Sequence, residues 1–287
     1  MRFKLSVIIF CGLLLMAASP AKCKCLKGDC KNGTGTFVLP RGDKYVGNFR
    51  NGKPEGRGVL YYVSGNRYEG EFRNGKRHGE GTFIYANGEK YVGGYENGKK
   101  SGYGVYTWTD GTTYSGEYLN GVKNGRGKRV YPDGSIYEGK FVDGLLTGQG
   151  TMTWPGGDRY VGGFNDGLMY GQGVMTWKNG DKYEGYWKND AMERRGVFTW
   201  KNGDVYSGEW RRNKTHGQGR FTWRTGDSYE GEFKNDVIDG VGTYRGGNGK
   251  VVYGKWKDGV LLKELPFPEK NTKKESAEPR QTTGTMN

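Results

Sequence analysis

Side chains that carry acid–base or nucleophilic chemistry are scarce in this chain. Its two histidines, His78 and His216, fall at the same position of the repeated segment described below. Neither lies in a Ser-His-Asp constellation, a metal-ligand spacing or a Walker loop. The sequence therefore predicts a protein that is not an enzyme and that holds no cofactor or metal.

Glycine pairs separated by one residue, such as Gly148 and Gly150, occur all along the chain. Such pairs can cradle a phosphate when a helix N-terminus follows them. Here they recur in phase with aromatic residues, and the high glycine content disfavours helices. We interpret them as strand residues and not as phosphate loops.

Three cysteines, Cys23, Cys25 and Cys30, cluster ahead of the repeated region. In an exported chain they predict one disulfide and one remaining thiol. Cys25 and Cys30 are the favoured pair, because a bridge between Cys23 and Cys25 would close a strained ring. A zinc site is disfavoured, since no histidine or fourth cysteine lies nearby.

Residues 1–21 have the features of a secretory signal peptide. Arg2 and Lys4 form a basic start, a mostly apolar run extends to Ala18, and small residues follow it. The apolar run is short for a membrane span. We expect cleavage before Lys22 and export to the periplasm, the cell envelope or the medium. Retention as an uncleaved anchor is the alternative.

A unit of 23 residues starts at each of nine equally spaced tyrosines: Tyr45, Tyr68, Tyr91, Tyr114, Tyr137, Tyr160, Tyr183, Tyr206 and Tyr229. Self-similarity at a fixed period indicates stacked supersecondary units. Counted from the tyrosine, position 3 is glycine, position 5 is aromatic, positions 12 and 14 are glycine with one exception, and position 18 is mostly Tyr or Trp. The alternation at positions 1 to 5 and 12 to 18 predicts two short strands per unit.

Two turns must connect these strands. At positions 19 to 21, residues 155–157 in the fifth unit, the sequence favours a three-residue loop with a type I turn followed by a left-handed glycine. That loop places Gly150 opposite Gly162 and Gly148 opposite Phe164. At positions 7 to 10 we expect a four-residue loop that gives the same pairings within a unit. Both turns then place the tyrosines, glycines and aromatics on one face.

The pattern Tyr-x-Gly-x-aromatic-x-x-Gly-x-x-x-Gly-x-Gly resembles the MORN (membrane occupation and recognition nexus) repeat over residues 45–251. The resemblance implies an all-β fold, an elongated single-layer antiparallel sheet of consecutive β-hairpins, and a scaffold or binding role with no enzymatic activity. Arg194 departs from the pattern at position 12 of the seventh unit. We expect the sheet to bend there.

Shorter segments flank the nine repeats. Residues 22–44 are expected to form a cysteine-containing cap and half repeat, and residues 252–260 a terminal half repeat. The periodicity ends at Leu261, and the residues from 269 onward are polar. We therefore expect residues 261–287 to form a disordered tail.

Tryptophans at position 18 predict an aromatic stripe along one face: Trp108, Trp154, Trp177, Trp200 and Trp223. A sheet one layer thick leaves that face partly open. Two interpretations remain: a groove that binds an extended peptide or a glycan, or packing that only holds the sheet together. Nucleic acid is not expected as the partner of an exported protein.

Positions 9 to 11 form the hairpin tips, and their chemistry changes along the chain. Early tips are basic and later ones are apolar; the two sets are Lys76, Arg77, Lys99 and Lys100, and Leu145, Leu146, Leu168 and Met169. The apolar tips predict an edge that contacts a protein partner or a second copy in a homodimer. The alternative is that each apolar tip folds onto its own hairpin.

Composition narrows the class of partner. Hydrophobic residues are 33% of the chain, a poor supply for a globular core of this length, and the net charge of +14 favours anionic partners. We interpret the chain as a non-enzymatic scaffold or protein-binding module exported to the cell envelope. The alternative is a peripheral membrane protein that binds anionic phospholipid through its basic tips.

Overall fold

The computed structural model describes residues 24–268, which form β-strands joined by short turns. The predicted signal peptide, Cys23 and the predicted tail beyond Pro268 lie outside these residues. The strands, in chain order, are β1 (Lys24–Gly28), β2 (Thr34–Val38), β3 (Lys44–Arg50), β4 (Lys53–Tyr61), β5 (Arg67–Arg73), β6 (Lys76–Ile84), β7 (Lys90–Glu96), β8 (Lys99–Thr107), β9 (Thr113–Leu119), β10 (Val122–Val130), β11 (Ile136–Val142), β12 (Leu145–Thr153), β13 (Arg159–Asn165), β14 (Leu168–Thr176), β15 (Lys182–Lys188), β16 (Ala191–Thr199), β17 (Val205–Arg211), β18 (Lys214–Thr222), β19 (Ser228–Lys234), β20 (Val237–Arg245), β21 (Val251–Lys257) and β22 (Val260–Glu264).

The chain divides into two compact units, Met1–Leu168 and Met169–Asn287. In the first unit, β1 to β13 pair antiparallel in chain order. In the second unit, β14 to β22 do the same. The predicted all-β fold of consecutive antiparallel hairpins is confirmed.

The three-residue loop between repeats has the predicted geometry. The backbone N–H of Trp154 donates to the backbone carbonyl of Asp158 (3.0 Å), and the backbone N–H of Gly157 donates to the carbonyl of Trp154 (2.9 Å). Gly157 has φ 102°, the left-handed conformation that favours glycine. The pairing across this loop places glycine opposite glycine at positions 14 and 3, as predicted.

The predicted register within a repeat is confirmed away from the turn, where Gly139 lies opposite Gly150 and Tyr137 opposite Met152, but it is wrong next to the turn. Phe141 lies opposite Leu146, and a register shift follows, so that Gly148 has no partner on its own hairpin. The turn uses only two residues, Asp143 (φ 50°) and Gly144 (φ 85°), because a two-residue Asp-Gly turn of type I′ matches the twist of the strands. The two residues saved at the turn are taken up as a bulge in the second strand.

The position-12 residue of each repeat lies in this bulge with a left-handed backbone. Gly148 has φ 70°, and Arg194, the exception to the glycine pattern, has φ 61°. Arg194 still lies opposite Trp210, the pairing that the repeat pattern gives to position 12. Its guanidinium carbon lies 4.2 Å from the ring centroid of Tyr186. The substitution therefore leaves the strand pairing unchanged.

The first tyrosine of each repeat explains the two glycine columns. Tyr137 is fully buried, and its hydroxyl donates to the carbonyl of Lys140 at 3.0 Å. Its ring covers Gly139 and Gly150, where a Cβ atom would lie 2.6 Å or less from the tyrosine. No residue larger than glycine fits under the ring, which is why positions 3 and 14 are glycine in every repeat.

Aromatic rings at positions 1 and 5 form a continuous edge-to-face ladder within each unit. Tyr45, for example, contacts Phe49 of its own repeat (5.1 Å) and Phe72 of the next (4.9 Å). In the second unit, Tyr206 makes the same contacts with Trp210 (5.2 Å) and Phe233 (5.0 Å). The ladder buries the tyrosine row and joins each hairpin to its neighbour.

The two ends of the repeat array are closed differently. At the start, β1 pairs with β2, and a disulfide joins Cys25 to Cys30 with their Cα atoms 6.0 Å apart. At the end, β22 continues to Glu264, so the structure corrects the expectation that regular structure stops at Leu261. Beyond β22, Phe267 stacks on Tyr253 at 5.6 Å. The chain turns back onto β21 because the proline-flanked residues that follow cannot extend the sheet.

Candidate partner-binding face

One face of each hairpin carries positions 1, 5, 10, 16 and 18. Position 10 belongs to this face because the bulge places that residue directly opposite the position-5 aromatic. Leu146 lies opposite Phe141, and Lys100 opposite Tyr95. We call the surface formed by these five positions the aromatic face. Each unit has its own part of it.

The tryptophans predicted to form a stripe are all half-buried on the aromatic face. In the second unit, Trp177 stacks on Phe198 (5.2 Å), Trp200 lies 5.3 Å from Phe221, and Trp223 lies 6.2 Å from Tyr244. Each ring thus packs against a position-16 residue of the next repeat. In the first unit, the Trp108 ring of the third repeat contacts Tyr106 with the ring centroids 4.5 Å apart. Trp154 occupies the same position in the fifth repeat.

A line of cations lies on the aromatic face of the first unit. Arg77, Lys100 and Lys123 occupy position 10 in three successive repeats, and Arg129 occupies position 16 beside the last of them. All four are half-buried. We call these four residues the cation row.

Lys100 lies at the centre of the cation row, among aromatic rings. Its Nζ is 4.3 Å from the ring centroid of Tyr106 and 4.7 Å from that of Tyr91. Among the described residues, its ammonium has no hydrogen-bond acceptor and no ion-pair partner. Burial, together with the nearby charges of Lys123 and Arg77, lowers the pKa of Lys100 to about 8, while Glu89 acts in the opposite direction.

Lys123 and Arg129 both lie close to the Trp108 ring. Lys123 Nζ is 4.3 Å from the ring centroid, and the guanidinium carbon of Arg129 is 5.5 Å from it. Burial and the charge of Arg129 lower the pKa of Lys123 to about 8. Within residues 24–268, the Lys123 ammonium again has no acceptor. Cation–π contacts compensate only part of the hydration that these charges lose.

Two buried hydroxyl groups lie next to the lysines of the cation row. Tyr95 and Tyr118 are each 4% exposed, and they lie directly opposite Lys100 and Lys123. Neither hydroxyl has a hydrogen-bond partner in the part of the chain that the structure describes, and Arg129 Nε also lacks one. Buried donors without a partner are uncommon and costly. The two hydroxyls are closed to solvent, whereas the half-buried lysines of the cation row offer ammonium donors that no acceptor within residues 24–268 occupies.

The structure divides the predicted basic tips into two classes. Lys76 and Lys99 are exposed at the tips, as expected. Arg77 and Lys100 instead turn inward onto the aromatic face, where Arg77 donates to the carbonyl of Gly98 at 2.7 Å. The correction has a simple cause: successive residues of a strand point to opposite sides, and both pairs begin a strand.

The predicted apolar edge divides in the same way. Leu145 and Leu168 are 49% and 40% exposed. Leu146 is only 5% exposed because it packs on the aromatic face opposite Phe141, so the expectation that it would be open to a partner is wrong. Met169, described within the second unit, is half-buried. Only Leu145 and Leu168 retain the exposure that an edge contact requires.

The second unit has apolar or uncharged residues at position 10. Met192 and Thr215 are 9% and 7% exposed and lie opposite Trp187 and Trp210. Ile238 lies opposite Phe233 and is half-buried. No cation of the kind found at Lys100 occurs in this column among the described residues of the second unit.

The sequence analysis assigned no role to Lys123, Arg129, Tyr95 or Tyr118. A signal was present. Position 5 is tyrosine in only two of the nine repeats, and those repeats have lysine at position 10. Reading position 10 as one column, and not together with positions 9 and 11, would have exposed this correlation.

The face opposite the aromatic face is mixed, with exposed valines such as Val92 (41%) and Val105 (38%) among charged side chains. Lys128 and Glu138 form an ion pair at 2.7 Å on neighbouring strands, and both side chains are about half exposed. Within residues 24–268, no group of three or more His, Cys, Asp or Glu side chains is arranged to hold a metal ion. The described residues also contain no helix that could cross a membrane.

The family model described as MORN repeat matches nine consecutive segments of the chain: residues 45–67, 68–90, 91–113, 114–136, 137–159, 160–182, 183–205, 206–228 and 229–251. These boundaries coincide with the nine units that start at the tyrosines. Together the segments cover well over half of the 287 residues. No curated protein sequence matches the chain.

Solved structures show only weak likeness. The TCP domain of SAS-4 (dCPAP) from Drosophila melanogaster is 14% identical, with a TM-score of 0.34, over 66% of this chain and 90% of that one. The TCP10 domain of CPAP from Danio rerio is 14% identical, with a TM-score of 0.23, over 78% of this chain and 90% of that one. Virginiamycin B lyase from Staphylococcus aureus is 11% identical, with a TM-score of 0.16, over 82% and 88%. None of these likenesses carries an argument about function.

Proposed function

Because the chain belongs to the MORN-repeat family, a repeat-based binding or scaffold module, we propose that it is a non-catalytic scaffold that binds a partner protein on its aromatic face. The observation that supports this most directly is the row of half-buried position-18 rings. Each ring has one side packed against its neighbours and leaves part of its surface to solvent. Half-exposed aromatic rings on a rigid sheet are the residues that most often anchor protein partners.

Site-directed photo-crosslinking tests this proposal in the native host. A photoreactive phenylalanine placed at Trp200 reports on the aromatic face, and one placed at Glu184 reports on the opposite face as a matched control. We expect one defined crosslinked protein from Trp200 and none from Glu184. Equal labelling at both positions, or labelling only at Glu184, would contradict a binding role for the aromatic face.

Export to the cell envelope is part of the proposal and rests on the sequence of residues 1–21, which lie outside the described structure. The Cys25–Cys30 disulfide is compatible with an oxidising compartment. N-terminal sequencing of the purified native protein, combined with cell fractionation, tests it. A mature start near Lys22 outside the cytoplasm supports export, whereas an intact Met1 on a cytoplasmic protein refutes it.

Binding to anionic phospholipid is the second candidate. The exposed lysines Lys76 and Lys99 at hairpin tips of the first unit favour it. Sedimentation with vesicles of phosphatidylcholine, with and without phosphatidylserine, at low and at physiological salt tests this idea. Binding that needs phosphatidylserine and is lost in a Lys76→Ser, Lys99→Ser variant would support the lipid function in place of the scaffold.

Self-association through the apolar edge is the remaining proposal about partners. It now rests on Leu145 and Leu168, which are exposed, and no longer on Leu146. Light scattering of the parent and of a Leu145→Ser, Leu168→Ser variant measures it. A parent that is a dimer and a variant that is a monomer would support a homodimer, and a monomeric parent would exclude one at this edge.

A further inference from the structure

We propose that the cation row of the first unit binds an acidic peptide segment in the polyproline II conformation, with a carboxylate at every third residue. This inference rests on the proposed scaffold function and specifies the chemistry of its partner. The carboxylates would lie on Arg77, Lys100 and Lys123, and Arg129 would extend the site beside Trp108.

The charges and donors of the cation row require an anionic ligand. Lys100 and Lys123 are half-buried and have no acceptor among residues 24–268. Carboxylate oxygens are acceptors only, and a carboxylate accepts a strong hydrogen bond from an ammonium. One carboxylate per repeat would therefore satisfy the ammonium that each of these two repeats contributes.

The acid that acts on the charge of Lys100 does not fill this role. Glu89 acts on the charge of Lys100, but its carboxylate accepts a hydrogen bond from the Tyr106 hydroxyl at 2.5 Å. It forms no ion pair with Lys100, and no equivalent acid acts on the charge of Lys123. The net charge of the cation row is thus positive, and this charge is complementary to an acidic segment.

The spacing of the row selects the conformation of the segment. Arg77, Lys100 and Lys123 begin alternate strands β6, β8 and β10 at equivalent positions, so they recur at about 9.6 Å, twice the usual separation of neighbouring strands. A polyproline II helix has three residues per turn and places every third side chain on one side at intervals of about 9.3 Å. An extended strand repeats on one side at about 6.6 Å, which does not match the row.

The half-buried depth of the row favours a peptide over a membrane. The ammonium groups lie among the rings of Tyr91, Tyr106 and Trp108, whereas Lys76 and Lys99 are exposed at the tips. A bilayer surface meets the exposed tips first. A single extended chain can lie along the face, where its proline or apolar residues contact the aromatic rings between the carboxylates.

Calorimetric titration of the full protein at physiological salt tests the proposal. The probe is a synthetic peptide of repeated Pro-Pro-Glu triplets. The reference peptides have the same composition with the glutamates scrambled, or have Pro-Pro-Gln triplets. We expect the Pro-Pro-Glu peptide to bind at least about tenfold more tightly than either reference, since each charged hydrogen bond contributes a factor of this size.

Two matched variants localise the site. Lys100→Met with Lys123→Met removes two charges from the cation row, and Lys76→Met with Lys99→Met removes the same charge from the exposed tips. The first pair should weaken binding of the Pro-Pro-Glu peptide by about tenfold or more, and the second by less than about twofold. A Tyr95→Phe, Tyr118→Phe variant keeps both rings and removes only hydroxyls that are closed to solvent, so it should change the affinity by less than about twofold.

Several results would overturn the proposal. These are no binding of the Pro-Pro-Glu peptide, equal binding of the scrambled peptide, or an equal loss in both lysine pairs, which would show attraction to net charge alone. Phosphatidylserine vesicles whose binding requires Lys100 and Lys123, without competition by the peptide, would assign the row to lipid. If the peptide fails while crosslinking from Trp200 still captures one protein, the scaffold function stands and only its acidic ligand is refuted.

Discussion

The repeats at residues 68–136 in the first unit and at residues 183–251 in the second have the same backbone and opposite surface chemistry. Both have a buried tyrosine over paired glycines, the two-residue turn and the bulge. At position 10 the first group has Arg77, Lys100 and Lys123, whereas the second has Met192, Thr215 and Ile238. The fold is thus specified by positions 1, 3, 5 and 14, and position 10 is free to decide what the face can bind.

A second difference lies at the two-residue turn. In the first unit the second turn residue is glycine, as at Gly121 (φ 94°). In the three full repeats of the second unit, residues 183–251, it is Asp190, Asn213 or Asp236, each with a positive φ. The side chain of Asn213 accepts a hydrogen bond from the N–H of Met192 at 2.7 Å, across to the previous repeat. These repeats of the second unit therefore lack the conformational freedom of glycine at this turn but gain a side-chain hydrogen bond between neighbouring repeats.

Removal of the buried tyrosine is expected to have the largest effect, and an equal one in both units. Tyr137→Ala and Tyr206→Ala each delete a fully buried ring that contacts two aromatics, and each should lower the free energy of unfolding by about 4 kcal/mol. Urea unfolding followed by circular dichroism measures this. Tyr103→Ala, at a ring that is 64% exposed, is the control and should change it by less than about 0.5 kcal/mol. A large inequality between the first two would show that the scaffold is not shared.

Exchange of the position-10 residues tests whether surface chemistry is independent of the fold. Met192→Lys places an ammonium at a site that is 9% exposed, and it should lower the free energy of unfolding by about 2 kcal/mol. The opposite exchange in the first unit, Lys123→Met, removes a partly desolvated charge and should raise the free energy of unfolding by up to about 1 kcal/mol. Both proteins should retain the parent circular dichroism spectrum. Loss of the sheet signal in either would show that position 10 also specifies the fold.

Sequence reasoning predicted the parts of the fold that depend on local rules. The three-residue loop at residues 155–157 follows from glycine in the left-handed position, and that loop alone determines the pairing between Gly150 and Gly162. Once one loop and the period of two are known, the common face of Tyr137 and Phe141 follows. The tyrosine as the ring that covers the glycines was not foreseen, because strand alternation gives the face of a side chain and not its tilt along the strand.

The error at the second turn is what hid the candidate site. A four-residue loop and a two-residue turn plus bulge use the same number of residues, so the length of the repeat does not distinguish them. Asp143-Gly144 is a strong type I′ signal, and giving it priority would have moved position 10 onto the aromatic face. Arg77 and Lys100 were consequently assigned to the tips, and Leu146 to an exposed edge. The missing hydroxyl partners of Tyr95 and Tyr118 depend on side-chain packing, which no local pattern encodes.

The turn residue provides a smaller test of the difference between the units. Asn213→Ala removes the acceptor for the N–H of Met192 and keeps a Cβ atom at φ 66°, so it should lower the free energy of unfolding by about 1–2 kcal/mol. Asn213→Gly loses the same bond but relieves the backbone, and it should change the free energy by less than about 0.5 kcal/mol. Tryptophan fluorescence during urea unfolding suits this measurement. Equal losses in the two variants would show that the hydrogen bond, and not the backbone conformation, sets the cost.

The smallest expected effect is a rise of stability with pH that comes from the two lysines of the cation row. Lys100 and Lys123 have pKa values lowered to about 8 in the folded protein, from an ordinary value of 10.5. Between these two values the unfolded chain binds more protons than the folded one, so the free energy of unfolding rises with pH. The cost of burying the two lysine charges is absent above about pH 10.5, where both lysines are neutral in the folded and the unfolded protein. As pH falls through 8 the folded lysines become charged, and this stability is lost. Because both side chains are half-exposed and screened, the change should stay below about 1 kcal/mol.

Comparing the free energy of unfolding of the parent with that of a variant lacking both lysines separates the effect of the lysines from that of the tyrosines. Burial raises the pKa of Tyr45, Tyr137 and Tyr229 to about 12, so tyrosine ionisation lowers stability as pH rises above about 10. That effect is common to the parent and to a Lys100→Met, Lys123→Met variant, and it cancels between them. From pH 7.5 to 9.5 the parent should therefore gain stability relative to the variant. A Lys76→Met, Lys99→Met variant, which lacks only exposed charges, should show no such trend. If the parent and the cation-row variant differ by the same amount at every pH, the lysines are not desolvated, and the contrast between the two units is one of charge alone.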